Sequence, residues 1–360
     1  MKSKIFHSLN IFFLFIFFFL IDFSLSKIFY KKNHCYNFQY FDNGHYYDLK
    51  KNCKSRFRFK SGFPTVNFFT DDYGLRVGDQ NKIKQETKKN IFLFGDSFTF
   101  GVGLEYEDTF AGILESNLPQ YNFYNFAVGS YSPTVHLYRL NKALDAGLSP
   151  EKIILFLDLT DVIDESQRWF YDKNLKSPIR PEERVNKRKN FFQQNFKLSN
   201  EIINISRYSL GVVKNKISNL RDINKGVKTS IQGQFTYTNL NNLDKRFWKK
   251  NDFEKGLKNI RFNISEISKI SKKINAEFFI AVYPWAETLY YGQEYFNWVN
   301  FAKDICNKNK CKTIDSFPIF QQYKQKNKDW SSKLYFIGDE HFNKQGAKLL
   351  ANAVLMKIND

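Results

Sequence analysis

From residue 91 onward, short apolar runs alternate with amphipathic segments, and this rhythm predicts the architecture. Ile91 to Phe94 is an apolar run of strand length. Phe110, Ile113, Leu114 and Leu118 recur at helical spacing over Thr109 to Leu118, and Pro119 ends that segment. Tyr121 to Val128 predicts a second strand, closed by Gly129. Ser132 and Pro133 occupy the cap and first position of a helix whose inward stripe is Leu137, Leu140 and Leu144 and which Gly147 ends. Lys152 to Leu157 predicts a third strand, and its Ile-Ile-Leu-Phe-Leu run suits burial on both faces. After a gap the rhythm resumes: a helix over Phe253 to Ile274, a strand over Ala276 to Tyr283, a helix over Tyr295 to Asn307 and a short strand over Lys312 to Asp315. The last helix runs Asn343 to Ile358, with Ala347, Leu350, Ala351, Val354 and Ile358 inward. Five strands separated by helices predict an α/β domain with a parallel sheet and right-handed crossovers.

The flanking patterns are weaker. Residues 27–90 read as an extension of short strands and turns. Within it, Val66 to Thr70 is a strand leaving into a turn at Asp71-Asp72-Tyr73-Gly74, and Gln85 to Asn90 is a polar link. Lys54 to Lys60 alternates bases with aromatics, which predicts a strand with one apolar face. Residues 165–250 are basic and rich in Asn, with few strand signals, and predict a largely helical insertion over the carboxyl edge of the sheet. The expected layout is a targeting segment (1–26), the extension (27–90) and a main domain (91–360) carrying the insertion.

The N-terminus reads as that targeting segment. Lys2 and Lys4 precede an unbroken apolar run from Ile11 to Ile21, and Ser24-Leu25-Ser26 offers small residues for cleavage before Lys27. Signal peptide and uncleaved anchor both fit, and either predicts export, to the periplasm or to a membrane-anchored position facing away from the cytoplasm; the two lysines keep the start inside. Four cysteines suit that address as two disulfides, with pairing between neighbours in sequence, Cys35 with Cys53 and Cys306 with Cys311. A metal site from His34, Cys35, His45 and Cys53 matches no zinc spacing. The net charge of +19 comes from lysines spread along the chain, and no basic recognition helix stands out, so nucleic acid is not an expected partner.

Two short motifs carry chemistry. Gly95-Asp96-Ser97 follows the first strand directly, which places a hydroxyl at the carboxyl end of a strand, where open α/β sheets hold ligands. Asp339-Glu340-His341-Phe342-Asn343 precedes the last helix. A serine needs a base to become a nucleophile, and the base needs an acid to orient it. His341 is the only histidine after His136. Alone, the first motif is an ordinary turn and the second a helix start capped by Asn343; together, in this order on an α/β frame, they point to catalysis.

The pair, with Gly129 after the second strand, resembles the SGNH (GDSL-type) hydrolases over residues 91–360, in particular exported members that modify polysaccharides. That resemblance implies a flavodoxin-like three-layer sandwich around a central parallel five-stranded sheet. It makes Ser97 the nucleophile, His341 its base and Asp339 the residue that orients His341. It assigns the oxyanion hole to the backbone N–H groups of Ser97 and Gly129 and to a side chain after the third strand. The family's Asn at that last position is replaced here by Thr160, aligned on Asp161. Asp96, Thr99, Gly101 and Gly103 then shape the nucleophile loop, and His136 is a surface or core residue. Asp161 and Asp164 form a solvated helix start, Asp161 beside the substrate, and Trp285 walls the pocket. No cofactor or metal is implied. The expected activity is removal of an O-acyl group, acetyl first, from a carbohydrate or small ester through an acyl-serine. The alternatives are an O-acetyltransferase on exported polysaccharide, supplied by a membrane acyl-donor protein, and a non-catalytic glycan-binding module. Membrane contact through the N-terminal segment is expected if it stays uncleaved.

Overall fold

The computed structural model describes residues 2–29, 35, 39–41, 46–59, 63–78, 84–174, 176–180, 195–199, 202–203, 205–206, 209–210, 251–294 and 296–358. Helix α1 (Lys2–Phe29) precedes two small antiparallel sheets, β1 (Gln39–Phe41) with β2 (Tyr46–Asp48), and β3 (Lys54–Phe57) with β4 (Val66–Thr70) and β5 (Arg76–Val77). The main domain then follows with β6 (Lys89–Phe94), α2 (Ser97–Phe100), α3 (Phe110–Asn117), β7 (Tyr121–Asn125), α4 (Pro133–Asp145), β8 (Lys152–Leu157) and α5 (Asp161–Ile163). A π-helical turn, Asp164–Arg168, leads to the hairpin β9 (Phe170–Asp172) and β10 (Ser177–Ile179). The chain continues with α6 (Asp252–Lys273), β11 (Glu277–Val282), α7 (Ala286–Tyr291), α8 (Trp298–Asn309), β12 (Lys312–Asp315), α9 (Phe317–Lys326), α10 (Trp330–Leu334) and α11 (Lys344–Ile358).

The central sheet has the order β7-β6-β8-β11-β12, and every pairing in it is parallel. This is the flavodoxin-like order, which reverses direction between β6 and β8 and so opens a crevice above their carboxyl ends. Helices α3 and α11 pack together on one face, and α4, α6 and α8 on the other, completing three layers. The innermost strand behaves as its sequence predicts, since Ile153 to Leu157 are all fully buried. The five strands and the helices α3, α4, α6, α8 and α11 fall where the periodicity places them, within a few residues. Strand β7 stops at Asn125, whose Oδ1 accepts the Ala127 N–H at 3.1 Å and turns the chain out of the sheet.

The stripe expected on α4 is displaced. Val135, His136, Arg139, Leu140 and Ala143 are buried, whereas Leu137 and Leu144 are only half-buried. The cause is tertiary. The N-terminal extension covers a second face of α4, where Tyr47, Phe68, Phe100, Tyr131, Val135 and Trp169 form a small separate core and Arg139 pairs with Asp48. Ser132 does not cap α4 with its side chain. Its hydroxyl donates to Glu165 Oε1 at 2.5 Å, and that same oxygen accepts the Thr134 N–H at 2.7 Å, so a carboxylate from the π turn takes over as cap. Both disulfides pair as expected, Cys35 with Cys53 and Cys306 with Cys311. With the apolar α1 they fit an oxidising, exported environment. Most of the expected insertion lies outside the described residues. Its described parts are the π turn, the β9–β10 hairpin and short helical pieces within 195–210. His34 and His45 also lie outside the described residues.

Candidate active site

Ser97 stands at the first position of α2, directly beyond β6. The turn that presents it is built by its neighbours. Asp96 caps α2, its Oδ1 accepting the Phe98 N–H at 2.9 Å. A Cβ on Gly95 would collide with the Thr99 side chain, so only glycine lets α2 fold back this tightly against the strand. Gly101 ends α2 with φ 81°, in the left-handed region. Buried Arg76, from the extension, donates to the carbonyls of Phe100, Gly101 and Leu104 at 2.7, 2.7 and 2.5 Å and clasps the far side of the loop.

His341 reaches Ser97 from the segment before α11. Asn343 fixes that segment: its Oδ1 accepts the Gln345 and Gly346 N–H groups, and its side-chain amide donates to the Tyr335 carbonyl. His341 Nε2 lies 2.8 Å from Ser97 Oγ, and Nδ1 lies 2.5 Å from Asp339 Oδ1. Since Asp339 can only accept, the hydrogen belongs on Nδ1, and Nε2 is left as acceptor for the serine hydroxyl. The Phe98 ring lies against the imidazole, with centroids 4.9 Å apart, and packs on Trp285, Tyr283 and Phe342 as well. Burial disfavours a charged imidazole, but the hydrogen bond that His341 donates to Asp339 and the charges of Glu340, Asp339 and Asp96 outweigh it and raise the His341 pKa above its ordinary value.

Beneath the serine lies a group of buried carboxyls. Asp158 Oδ2 accepts from the Tyr283 hydroxyl and from Trp285 Nε1, both at 2.8 Å, and Asp161 Oδ2 accepts the Asp158 N–H at 2.9 Å. Asp161 and Asp164 are 1% and 0% exposed, so the expected solvated helix start is instead a buried one, because α6 packs across α5 and the π turn. Burial, then the charge of Asp158, pushes the carboxyls of both Asp96 and Asp161 well above the usual range. Asp164 is raised by burial too, although Arg168 pairs with it at 2.6 Å.

A cavity of about 190 Å³ opens beside Ser97, lined by Asp96, Phe98, Ser130, Thr160, Trp285 and Glu340, with Asp164 and Arg168 at one side. Trp285, expected at the wall of a substrate pocket, is one of the residues lining this cavity. Asp161 is not among its lining residues; it holds the Asp158 backbone below. Gly129 is buried and its carbonyl accepts the Tyr47 hydroxyl at 2.8 Å, while its neighbour Ser130, at φ 62°, is the residue of that turn that lines the cavity. Thr160 lines the cavity, but its hydroxyl donates to Asp158 Oδ1 at 2.6 Å and its N–H to the same oxygen at 2.8 Å. Phe98, Asp158, Tyr283 and Arg168 carry no motif of their own. Only the positions of Phe98, Asp158 and Tyr283 just past the carboxyl ends of strands could have marked them; Arg168, at the end of the π turn, had no such signal. His136 is a core residue, fully buried against Phe94 and Tyr131, and burial pushes its pKa down to about 3.

No protein-family model and no curated protein matches the chain. Solved structures do. The chain is similar to the psychrotrophic esterase EstA from Pseudoalteromonas, at 13% identity and a TM-score of 0.40, over 76% of this chain and 97% of that one. It is similar to the acetyl xylan esterase AlAXEase, at 13% identity and a TM-score of 0.42, over 75% and 99%. It is also similar to a lipolytic G-D-S-L family protein from Veillonella parvula, at 13% identity and a TM-score of 0.40, over 75% and 98%.

Proposed function

We propose that this chain is an SGNH-type serine esterase that removes a short acyl group, acetyl first, from a carbohydrate or small ester outside the cytoplasm. The observation that carries this reading is the His341 imidazole, held between Ser97 Oγ at 2.8 Å and Asp339 at 2.5 Å. In the proposed reaction His341 takes the Ser97 proton as Oγ attacks the ester carbonyl, then returns it to the departing alcohol, leaving an acyl-serine. Water, deprotonated by the same nitrogen, releases the acid. Asp339 keeps the imidazole in the required tautomer throughout.

The oxyanion would be held by the N–H groups of Ser97 and Gly129. Thr160 joins them only if its hydroxyl leaves Asp158. A donor of this kind is worth roughly 3–4 kcal/mol of barrier, so the commitment of Thr160 bears on rate more than on reaction class. A cavity of about 190 Å³ equals roughly six water volumes, which suits a short acyl group rather than a long chain.

The test is labelling by a fluorophosphonate, with the adduct mapped by mass spectrometry. The adduct is expected on Ser97, and both Ser97→Ala and His341→Ala should abolish it. Ser97→Ala should also slow hydrolysis of a chromogenic acetate by about 10⁴-fold or more. An adduct on another serine, unchanged in both variants, sinks the reading. Running the acetate assay with a sugar acceptor present separates hydrolysis from acyl transfer.

A further inference from the structure

The apolar helix α1 carries a polar stripe that the esterase reading leaves unused. Its span from Leu9 to Lys27 has 19 residues and a mean hydropathy of 2.2, and only 11% of it is buried. At 1.5 Å per residue that is about 28 Å, close to the hydrocarbon thickness of a bilayer. Near its outer end Phe19, Asp22, Phe23 and Ser26 share one face, at spacings of three, four and seven residues. Asp22 is fully buried and Ser26 is 6% exposed.

That face is docked on residues 195–199. Asp22 Oδ1 accepts the Leu198 N–H at 3.0 Å, and Oδ2 accepts the Ser199 N–H at 2.8 Å and the Ser199 hydroxyl at 2.5 Å. Ser26 Oγ accepts the Lys197 N–H at 2.8 Å and donates to Asp22 at 3.1 Å. The Phe196 ring packs edge-on to Phe19 and also against Phe23. A carboxylate in an apolar helix is costly unless paired, and this one accepts from three groups of the 195–199 turn, which it caps, and from the Ser26 hydroxyl of its own helix. Cleavage after Ser26 would remove the acceptors of the turn's donors and bare Phe196.

On the docked turn Leu198, and beyond it Ile202, Ile203, Ile205 and Leu210, are exposed, from 38% to 69%. Elsewhere among the described residues outside α1, exposed large apolar side chains are scattered singly: Tyr171, Phe262, Tyr291, Ile337 and Met356. Five exposed apolar side chains thus follow closely in sequence on and after a turn pinned to a bilayer-length helix, and the phase that would cover them together with that helix is lipid. We propose that α1 is retained as a membrane anchor and that Leu198, Ile202, Ile203, Ile205 and Leu210 lie against the same bilayer, the 195–199 turn being locked to the anchor through Asp22 and Ser26.

The test uses the full chain in isolated membranes and reads nothing from catalysis. Intact mass should show α1 present, and the protein should resist carbonate extraction. A carbene photoreagent dissolved in the lipid should label both α1 and the 195–210 peptide. The double variant Ile202→Asp, Ile203→Asp should lower label in that peptide at least tenfold and leave α1 labelled. Asp22→Ala should speed protease cleavage within 195–210 while α1 stays embedded. A mature chain beginning at Lys27 in the soluble fraction, or label confined to α1, overturns the proposal.

Discussion

His341 and Ser97 are 244 positions apart in sequence and 2.8 Å apart in space, and the chemistry proposed for them depends on the charge of one ring. The imidazole must be neutral to accept a proton. Its pKa is raised, so the acid limb of kcat/KM should lie above pH 6.5, the ordinary value for histidine. Asp339→Asn removes the charge that raises that pKa and replaces the carboxylate acceptor with an amide that can also donate to Nδ1 and favour the wrong tautomer. The limb should move to lower pH while the rate at the plateau falls by about 10³- to 10⁴-fold. A limb that stays in place in the variant would show that another group titrates. At this scale the sequence speaks clearly about Ser97, Asp339 and His341, because their motifs are local. It marks Thr160 as standing at the family's Asn position but does not show where the hydroxyl points its hydrogen. The competing acceptor, Asp158, is two residues away, but only the turn after β8 brings its carboxylate 2.6 Å from the hydroxyl.

Elements are set by local pattern and trimmed by their neighbours. The helices α9 and α10, which carry the chain from β12 toward His341, have no strong apolar period; Phe317, Phe320, Trp330 and Leu334 are buried because of where α11 lies. The loop that carries Ser97 depends in the same way on a distant element. Arg76 of β5 supplies hydrogen bonds to three loop carbonyls and lies over the Phe68 and Phe100 rings. Arg76→Met keeps much of the volume but leaves those carbonyls without this partner. The variant should lose roughly 3 kcal/mol of stability and should lower kcat more than KM, because the loop that positions Ser97 loosens. Thermal unfolding and steady-state kinetics on an acetate ester check this. An unchanged Tm with unchanged kcat would mean the clasp is idle.

At the scale of the whole molecule, the unusual feature is how many carboxyl groups are buried around the site in a chain with net charge +19. Glu287 of α7 gives it a measurable consequence. It is 2% exposed, neither carboxylate oxygen has a hydrogen-bond partner among the described residues, and burial, assisted by Glu340, lifts its pKa to about 7. The folded state therefore holds this proton more tightly than the unfolded chain. Its contribution to stability is complete below about pH 4.5 and is lost as pH rises through 7. Glu287→Gln should leave stability nearly unchanged at pH 4.5 and raise it at pH 8.5, by on the order of 3 kcal/mol. Denaturant melts of both proteins at the two pH values decide the point; a gain that is equal at both would remove titration as the cause.

The sequence by itself determined the five strands, five of the helices that flank them and the two short motifs that carry Ser97 and His341; for the four cysteines it offered pairing between close neighbours only as an expectation. Each of these depends on neighbours in the chain: apolar period, caps, turn residues, close cysteines. Only the tertiary structure decided that Glu165 caps α4, that Asp161 and Asp164 are buried, that Arg76 clasps the serine loop and that Asp22 closes a turn of the 195–199 segment. Those are long-range pairings of polar groups, and which buried donor meets which acceptor is settled by packing, when every polar atom removed from water must find a partner.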